Sequence, residues 1–119
     1  MTFLCVDDSA TVRKIISMAL AEAGHSVIEA ENGKVALEKL GTAKPDCIVL
    51  DINMPVMGGI EFLSEKAKVP AAQSIPVIVL TTQDEEALRS QAMGLGANGF
   101  LAKPFDKAAL LATISRIVG

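Results

Sequence analysis

The sequence predicts an α/β domain in which a five-stranded parallel sheet carries helices on both faces. Three observations predict it. Short apolar runs alternate along the chain with longer segments that are apolar at helical spacing. The runs, Phe3 to Val6, Val27 to Ala30, Cys47 to Leu50, Val77 to Leu80 and Gly99 to Ala102, are too brief for helices. Three of them end in charge: the first runs into Asp7 and Asp8, the third into Asp51, and the last into Lys103-Pro104. As parallel strands they gather three acids and one amine in a single crevice beyond their carboxyl ends, a place suited to a divalent cation and a phosphoryl group.

Each element has its own signal. After the Phe3 to Val6 strand, helix one follows Ser9, with Val12, Ile15, Ile16, Ala19 and Leu20 on one face and Ala23-Gly24 closing it. Val27 to Ala30 is the second strand, and Asn32-Gly33 opens a helix carrying Val35, Ala36, Leu37 and Leu40. Cys47 to Leu50 reads as a buried central strand. Beyond the Pro55 to Gly59 turn, Ile60 to Lys68 is helical; Pro70 and Pro76 then bracket a loop into strand four, Val77 to Leu80, which ends at Thr81. Glu85 to Leu95 is the next helix, Gly99 to Ala102 the fifth strand, and Asp106 to Val118 the last helix, with Asp106 its N-cap. The crossovers are expected to be right-handed.

A length of 119 residues suits one domain spanning residues 1–119. Half the residues are hydrophobic and the mean hydropathy is +0.42, yet charged residues are spread throughout and no apolar stretch approaches a membrane span. The chain is expected to be soluble, without membrane insertion. Asp7 and Asp8 interrupt the N-terminal apolar run too early for a secretory signal, so a cytoplasmic location is expected. A net charge of −3 argues against nucleic acid, which needs an excess of Lys and Arg. Cys5 and Cys47 lie inside apolar runs with no Cys/His cluster, and read as core packing.

The pair Asp7-Asp8, the strand-end acid in "LDINMPVMGG", the Thr81-Thr82 end of strand four and the "GFLAKPF" segment resemble, in order and spacing, the receiver domain of two-component response regulators. The likeness covers essentially the whole chain. "MPVMGGIEFL", "IPVIVLTT" and "KPF" look most like the stand-alone chemotaxis regulators called CheY. The resemblance implies a flavodoxin-like, CheY-like fold with strand order 2-1-3-4-5. It also implies a phosphoryl group received from the phosphohistidine of a CheA-like histidine kinase, and an output made by binding a flagellar motor switch protein or another target. A phosphatase is a further implied partner, and the chain is expected to be monomeric.

The residues suit that chemistry. A carboxylate can accept a phosphoryl group, but its charge repels the incoming oxygens unless something positive neutralises both. Clustered hard oxygens suit Mg²⁺. Asp51 is the expected phosphoacceptor; Asp8 and Asp51 are expected to hold the metal directly. By resemblance, the backbone carbonyl of Asn53 is a third ligand and Asp7 acts largely through water. Lys103 offers a compact charge to one phosphoryl oxygen and the Thr81 hydroxyl a donor to another. The protein is then no conventional enzyme, catalysing only its own phosphoryl transfer and autodephosphorylation. By resemblance, Asn53 and Gln83 flank the path of the attacking water and tune hydrolysis, and Thr81 and Phe100 form a switch. Phe100 departs from the tyrosine common in CheY-like chains, so no ring hydroxyl is available there. No output domain is expected beyond the last helix, and activation is expected to act through the surface of helix four, strand five and helix five.

Taken singly, these residues have plainer readings. Asp7-Asp8 can be a helix N-cap and turn, Asp51 a loop cap, Thr81 a β-former and Lys103 a surface lysine beside a proline. Their joint placement favours the site. His25, with no second imidazole in the chain, is expected to be a surface loop residue. Two rivals from other classes are a flavin carrier and an aspartate-nucleophile phosphatase. The first would want a Ser/Thr/Gly phosphate loop and stacking aromatics, but the loop here is acidic and there is no Trp or Tyr. The second would place its nucleophile in an Asp-x-Asp pair after strand one. A phosphate sink or relay receiver without motor binding remains an alternative role.

Overall fold

The computed structural model describes residues 1–52, 57–81 and 86–118. Its elements run β1 (Thr2–Val6), α1 (Ala10–Glu22), β2 (Ser26–Ala30), α2 (Gly33–Ala43), β3 (Cys47–Asp51), α3 (Gly59–Lys66), a 3-10 turn (Pro70–Ala72), β4 (Val77–Thr81), α4 (Glu86–Gly94), β5 (Gly99–Ala102) and α5 (Lys107–Val118). Side chains start three of the helices. The Val12 N–H donates to Ser9 Oγ at 3.2 Å, the Val35 N–H to Asn32 Oδ1 at 2.9 Å, and the Ala109 N–H to Asp106 Oδ1 at 2.7 Å. Gly24, at φ +91°, turns the chain out of α1.

Two expectations need correction. Helical residues in α3 stop at Lys66 rather than Lys68, because the last turn tightens into i→i−3 bonds, the Lys68 N–H to the Glu65 carbonyl at 3.1 Å and the Val69 N–H to the Lys66 carbonyl at 3.0 Å. Ile15 was expected on the buried face of helix one, but it is 52% exposed while Ile16, Ala19 and Leu20 are buried. The apolar arc of α1 is wider than the strip of sheet beneath it. Helix four is described over Glu86–Gly94, one residue short of the expected end at Leu95, and Glu85 lies outside the described residues.

All four strand pairings are parallel, in the order β2-β1-β3-β4-β5. The order reverses at β1, so β1 and β3 leave a crevice beyond their carboxyl ends. The central strands β3 and β4 are buried on both faces. On one face Phe3, Cys5, Cys47, Val49, Ile78 and Leu80 pack against Ile16, Ala19 and Leu20 of α1 and Leu110 and Ile114 of α5. On the other, Leu4, Val6, Ile48, Leu50, Val77 and Val79 meet Ala36 and Leu40 of α2, Phe62 and Leu63 of α3, and Ala92 of α4. Cys5 and Cys47 are free and buried, and burial pushes both thiols up to about 12, so they remain neutral core groups. No helix among the described residues is long and apolar enough to cross a membrane.

Gly59 shows how tightly α3 meets the end of β3. A Cβ there would lie 2.6 Å from Ile52 Cα and 2.9 Å from the Asp51 carbonyl oxygen, both backbone atoms that cannot rotate away. Gly59→Ala is expected to lower the unfolding free energy by about 1–3 kcal/mol, measured by urea denaturation. A variant as stable as the parent would show that α3 can shift freely.

Candidate functional site

The register brings the strand ends to one level. Val6 pairs with Leu50, Asp51 with Leu80, and Thr81 with Ala102, so Asp7, Asp51, Thr81 and Lys103 emerge side by side. Asp7 is fully buried and Asp51 nearly so, whereas Asp8 is exposed. One carboxylate oxygen from each of the three acids lies within 4.8 Å of the others.

Lys103 holds the two buried acids together. Its Nζ donates to Asp7 Oδ2 at 2.8 Å and lies 3.5 Å from Asp51 Oδ2. The peptide bond between Lys103 and Pro104 is cis. The Lys103 N–H donates to the Thr81 carbonyl at 2.7 Å, which ties the root of the lysine to the end of β4. Burial by itself pushes the Lys103 ammonium down, but the hydrogen bond to Asp7 and the charges of Asp51 and Asp7 outweigh it and hold the group above its ordinary value. The lysine is cationic at neutral pH. Its side chain also borders an open groove of about 450 Å³ with Val12, Ile15, Pro104 and Phe105, which is where the exposed Ile15 sits.

The remaining expected residues divide. Thr81 is buried at the end of β4. Phe100 pairs with Val79 across the β4–β5 ladder, so its ring and the Thr81 side chain share a sheet face as diagonal neighbours. Asn53 and Gln83 lie outside the described residues. His25 is remote from the crevice: its ring meets the edge of Phe3 at a centroid distance of 4.9 Å, and Nδ1 is 3.3 Å from the Met1 amine.

Two arginines escaped the sequence reading. Arg13 Nη1 donates to the Asp7 carbonyl at 2.6 Å. The Arg89 guanidinium carbon lies 5.1 Å from the centre of the Phe100 ring, within cation–π range. Spacing signals only the first: a basic residue four positions after an N-cap serine sits over the turn that precedes the helix.

Chemically, the donor set fits a small hard dication: three carboxylates at short range, one of them open to solvent, with no soft ligand among them. The same crevice presents a carboxylate beside an ammonium group, an arrangement chemically able to accept a phosphoryl group.

Comparison with known proteins agrees with this geometry. The protein-glutamate methylesterase/protein-glutamine glutaminase of Desulfotalea psychrophila is 42% identical over 97% of this chain but only 34% of its own length. The chain spans from 29% to 51% of the length of the longer relatives it matches. Chemotaxis protein CheY of Thermotoga maritima is 34% identical over 96% of this chain and 94% of that protein. The solved structure of Vibrio cholerae chemotaxis protein CheY4 superposes with a TM-score of 0.94 at 37% identity, covering 98% of this chain and 97% of that one. The family model of the response regulator receiver domain matches residues 3–115, from the first strand to the last helix. On that match, and on a sheet whose ends assemble the acidic crevice the family resemblance implied, the chain belongs to the response regulator receiver family.

Proposed function

We propose that this receiver is a phosphorylation-activated switch in which Asp51 accepts a phosphoryl group from the phosphohistidine of a CheA-like kinase. The observation that carries the reading is the Lys103 amine set between Asp7 and Asp51 in a cluster of three carboxylates. As the Asp51 oxygen bonds to phosphorus, the phosphorus–nitrogen bond of the donor breaks. Lys103 meets one phosphoryl oxygen and the Thr81 hydroxyl another. Asp8 and Asp51, with the Asn53 carbonyl, would hold Mg²⁺. Both Asp7 oxygens already accept bonds, from the Ser9 N–H at 2.8 Å and from Lys103, which supports an indirect role through water. Bound there, Mg²⁺ supplies the charge that offsets carboxylate and phosphoryl repulsion. Asn53 and Gln83 tune the later hydrolysis.

The likeness to CheY proteins over nearly their whole length supports a stand-alone role in chemotaxis, with a flagellar motor switch protein as target and the α4, β5 and α5 surface as output. Thr81 moves toward the phosphoryl group, and Phe100, its neighbour on the sheet face, turns into the space left behind. The ring is half-buried against the core, so its full burial is worth on the order of 1 kcal/mol or more, enough to bias a two-state surface without a hydroxyl. A pull-down with and without beryllofluoride, which mimics the phosphoryl group, tests the role. A partner held only by the activated form supports the switch, and none would favour a phosphate sink.

Asp51→Asn is expected to abolish labelling by acetyl phosphate and Mg²⁺ while leaving the fold intact. Mass spectrometry should show one added phosphoryl group in the parent and none in the variant; unchanged labelling would move the phosphoacceptor elsewhere. Asp8→Ala is expected to raise the metal-free Tm by a few degrees, as befits relief of like-charge repulsion under about 1 kcal/mol, and to remove the Mg²⁺-dependent rise. A variant that keeps the full Mg²⁺ increment has another ligand in place of Asp8. Thr81→Ala should leave phosphorylation possible while weakening activated-state partner binding, and Phe100→Tyr should preserve switching. ¹⁹F NMR of fluorinated Phe100 checks the coupling: an unchanged ring signal on adding beryllofluoride would sink it.

A further inference from the structure

Every polar atom of Asp7 is engaged. Its N–H donates to the Ala30 carbonyl at 3.1 Å, Oδ1 accepts from the Ser9 N–H at 2.8 Å, Oδ2 accepts from Lys103 at 2.8 Å, and its carbonyl accepts from Arg13 Nη1 at 2.6 Å. Arg13 is itself clamped. Its side chain is 17% exposed, and its Nε makes a 3.1 Å ion pair with Glu29 Oε1 on β2. The Glu29 carbonyl accepts in turn from the Lys39 ammonium on α2. One guanidinium therefore bridges the turn after β1 to the neighbouring strand. Asp8 contrasts with its neighbour: among the described residues no hydrogen bond or ion pair holds its carboxylate, although it stands in the acidic cluster.

We propose that Arg13 is a positioning residue for the cation site, acting through the peptide that joins Asp7 to Asp8. The Asp7 carbonyl belongs to that planar unit, so pinning its oxygen fixes the direction from which the Asp8 backbone departs. Arg13 thus aims the exposed Asp8 carboxylate toward Asp51 without touching the cation. Arginine suits this because its rigid fork presents Nη1 and Nε to two acceptors on different elements at once, whereas a lysine ammonium at the end of a flexible stem does not hold that span. The inference rests on the reading that Asp8 and Asp51 bind a dication.

Calorimetric titration of the full chain with MgCl₂ tests it, on the parent, Arg13→Met and Arg13→Lys. Partners that orient metal ligands typically contribute about 10–100-fold to affinity, and Arg13→Met is expected to weaken Mg²⁺ binding by about tenfold, the low end of that range. Arg13→Lys, which keeps the charge but not the fork, should weaken it severalfold. In acetyl phosphate labelling, the Mg²⁺ concentration for half-maximal rate should rise by the same factors, while the rate at saturating Mg²⁺ falls far less. A general loss of structure would instead lower both. Should Arg13→Met not fold, Arg13→Lys carries the test. Parent-like Mg²⁺ affinity in Arg13→Lys would reduce the effect to charge and overturn the positioning role, as would parent-like affinity in Arg13→Met. A parent that binds no Mg²⁺ would overturn the cation reading, and this inference with it.

Discussion

One amine helps two carboxylates stay buried at the mouth of this sheet. Leaving an ionised acid unpaired in a protein interior costs several kcal/mol, and Asp7 and Asp51 are both removed from solvent. Lys103 offsets that cost by reaching Asp7 at 2.8 Å and Asp51 at 3.5 Å. The three residues come from the ends of three different strands, so the cluster forms only when β1, β3 and β5 are all in place. The site and the completed sheet are one cooperative object.

The sheet supplies that precision through ordinary packing. β3 and β4 are buried on both faces, and the two core clusters clamp them between α1 and α5 on one side and α2, α3 and α4 on the other. Close-packed interiors resist sliding, and a slip of one residue would exchange the faces of a whole strand. Asp51, Thr81 and Lys103 are therefore held in step by residues such as Leu50, Val79 and Leu101, which have no chemistry of their own. Backbone contacts add to this. The Lys103 N–H bonds the Thr81 carbonyl, and Gly59 lets α3 rest directly on the end of β3.

That linkage also connects the crevice to the surface. Thr81 stands beside the acids and shares a sheet face with Phe100, whose ring lies under Arg89 of α4. A cation over an aromatic face contributes about 0.5–1 kcal/mol at an exposed site. The ring is thus held between the core and a charged residue of the neighbouring helix, and a shift at Thr81 acts on both. On the proposed reading, this diagonal pair carries phosphorylation to the α4 and β5 surface.

Much of this was legible in the sequence because local chemistry reported it. Apolar runs of strand length, N-cap residues at Ser9, Asn32 and Asp106, and charges at the strand ends located the elements and the crevice. The receiver resemblance covered the strand order as well. Boundaries were less legible where context decided, as when a tightened last turn shortened α3 and the narrow contact of α1 with the sheet left Ile15 in solvent. Pairwise contacts between distant residues were not legible at all. That Lys103 donates to Asp7 more closely than it approaches Asp51, that Arg13 reaches back to the Asp7 carbonyl, and that Arg89 covers Phe100 depend on helix rotation and strand register, which local propensity does not encode. Sequence by itself determined which groups stand at the strand ends, because alternation and capping act over a few residues. Only the tertiary structure decided which of those groups touch, because that depends on how helices and strands far apart in the chain pack together.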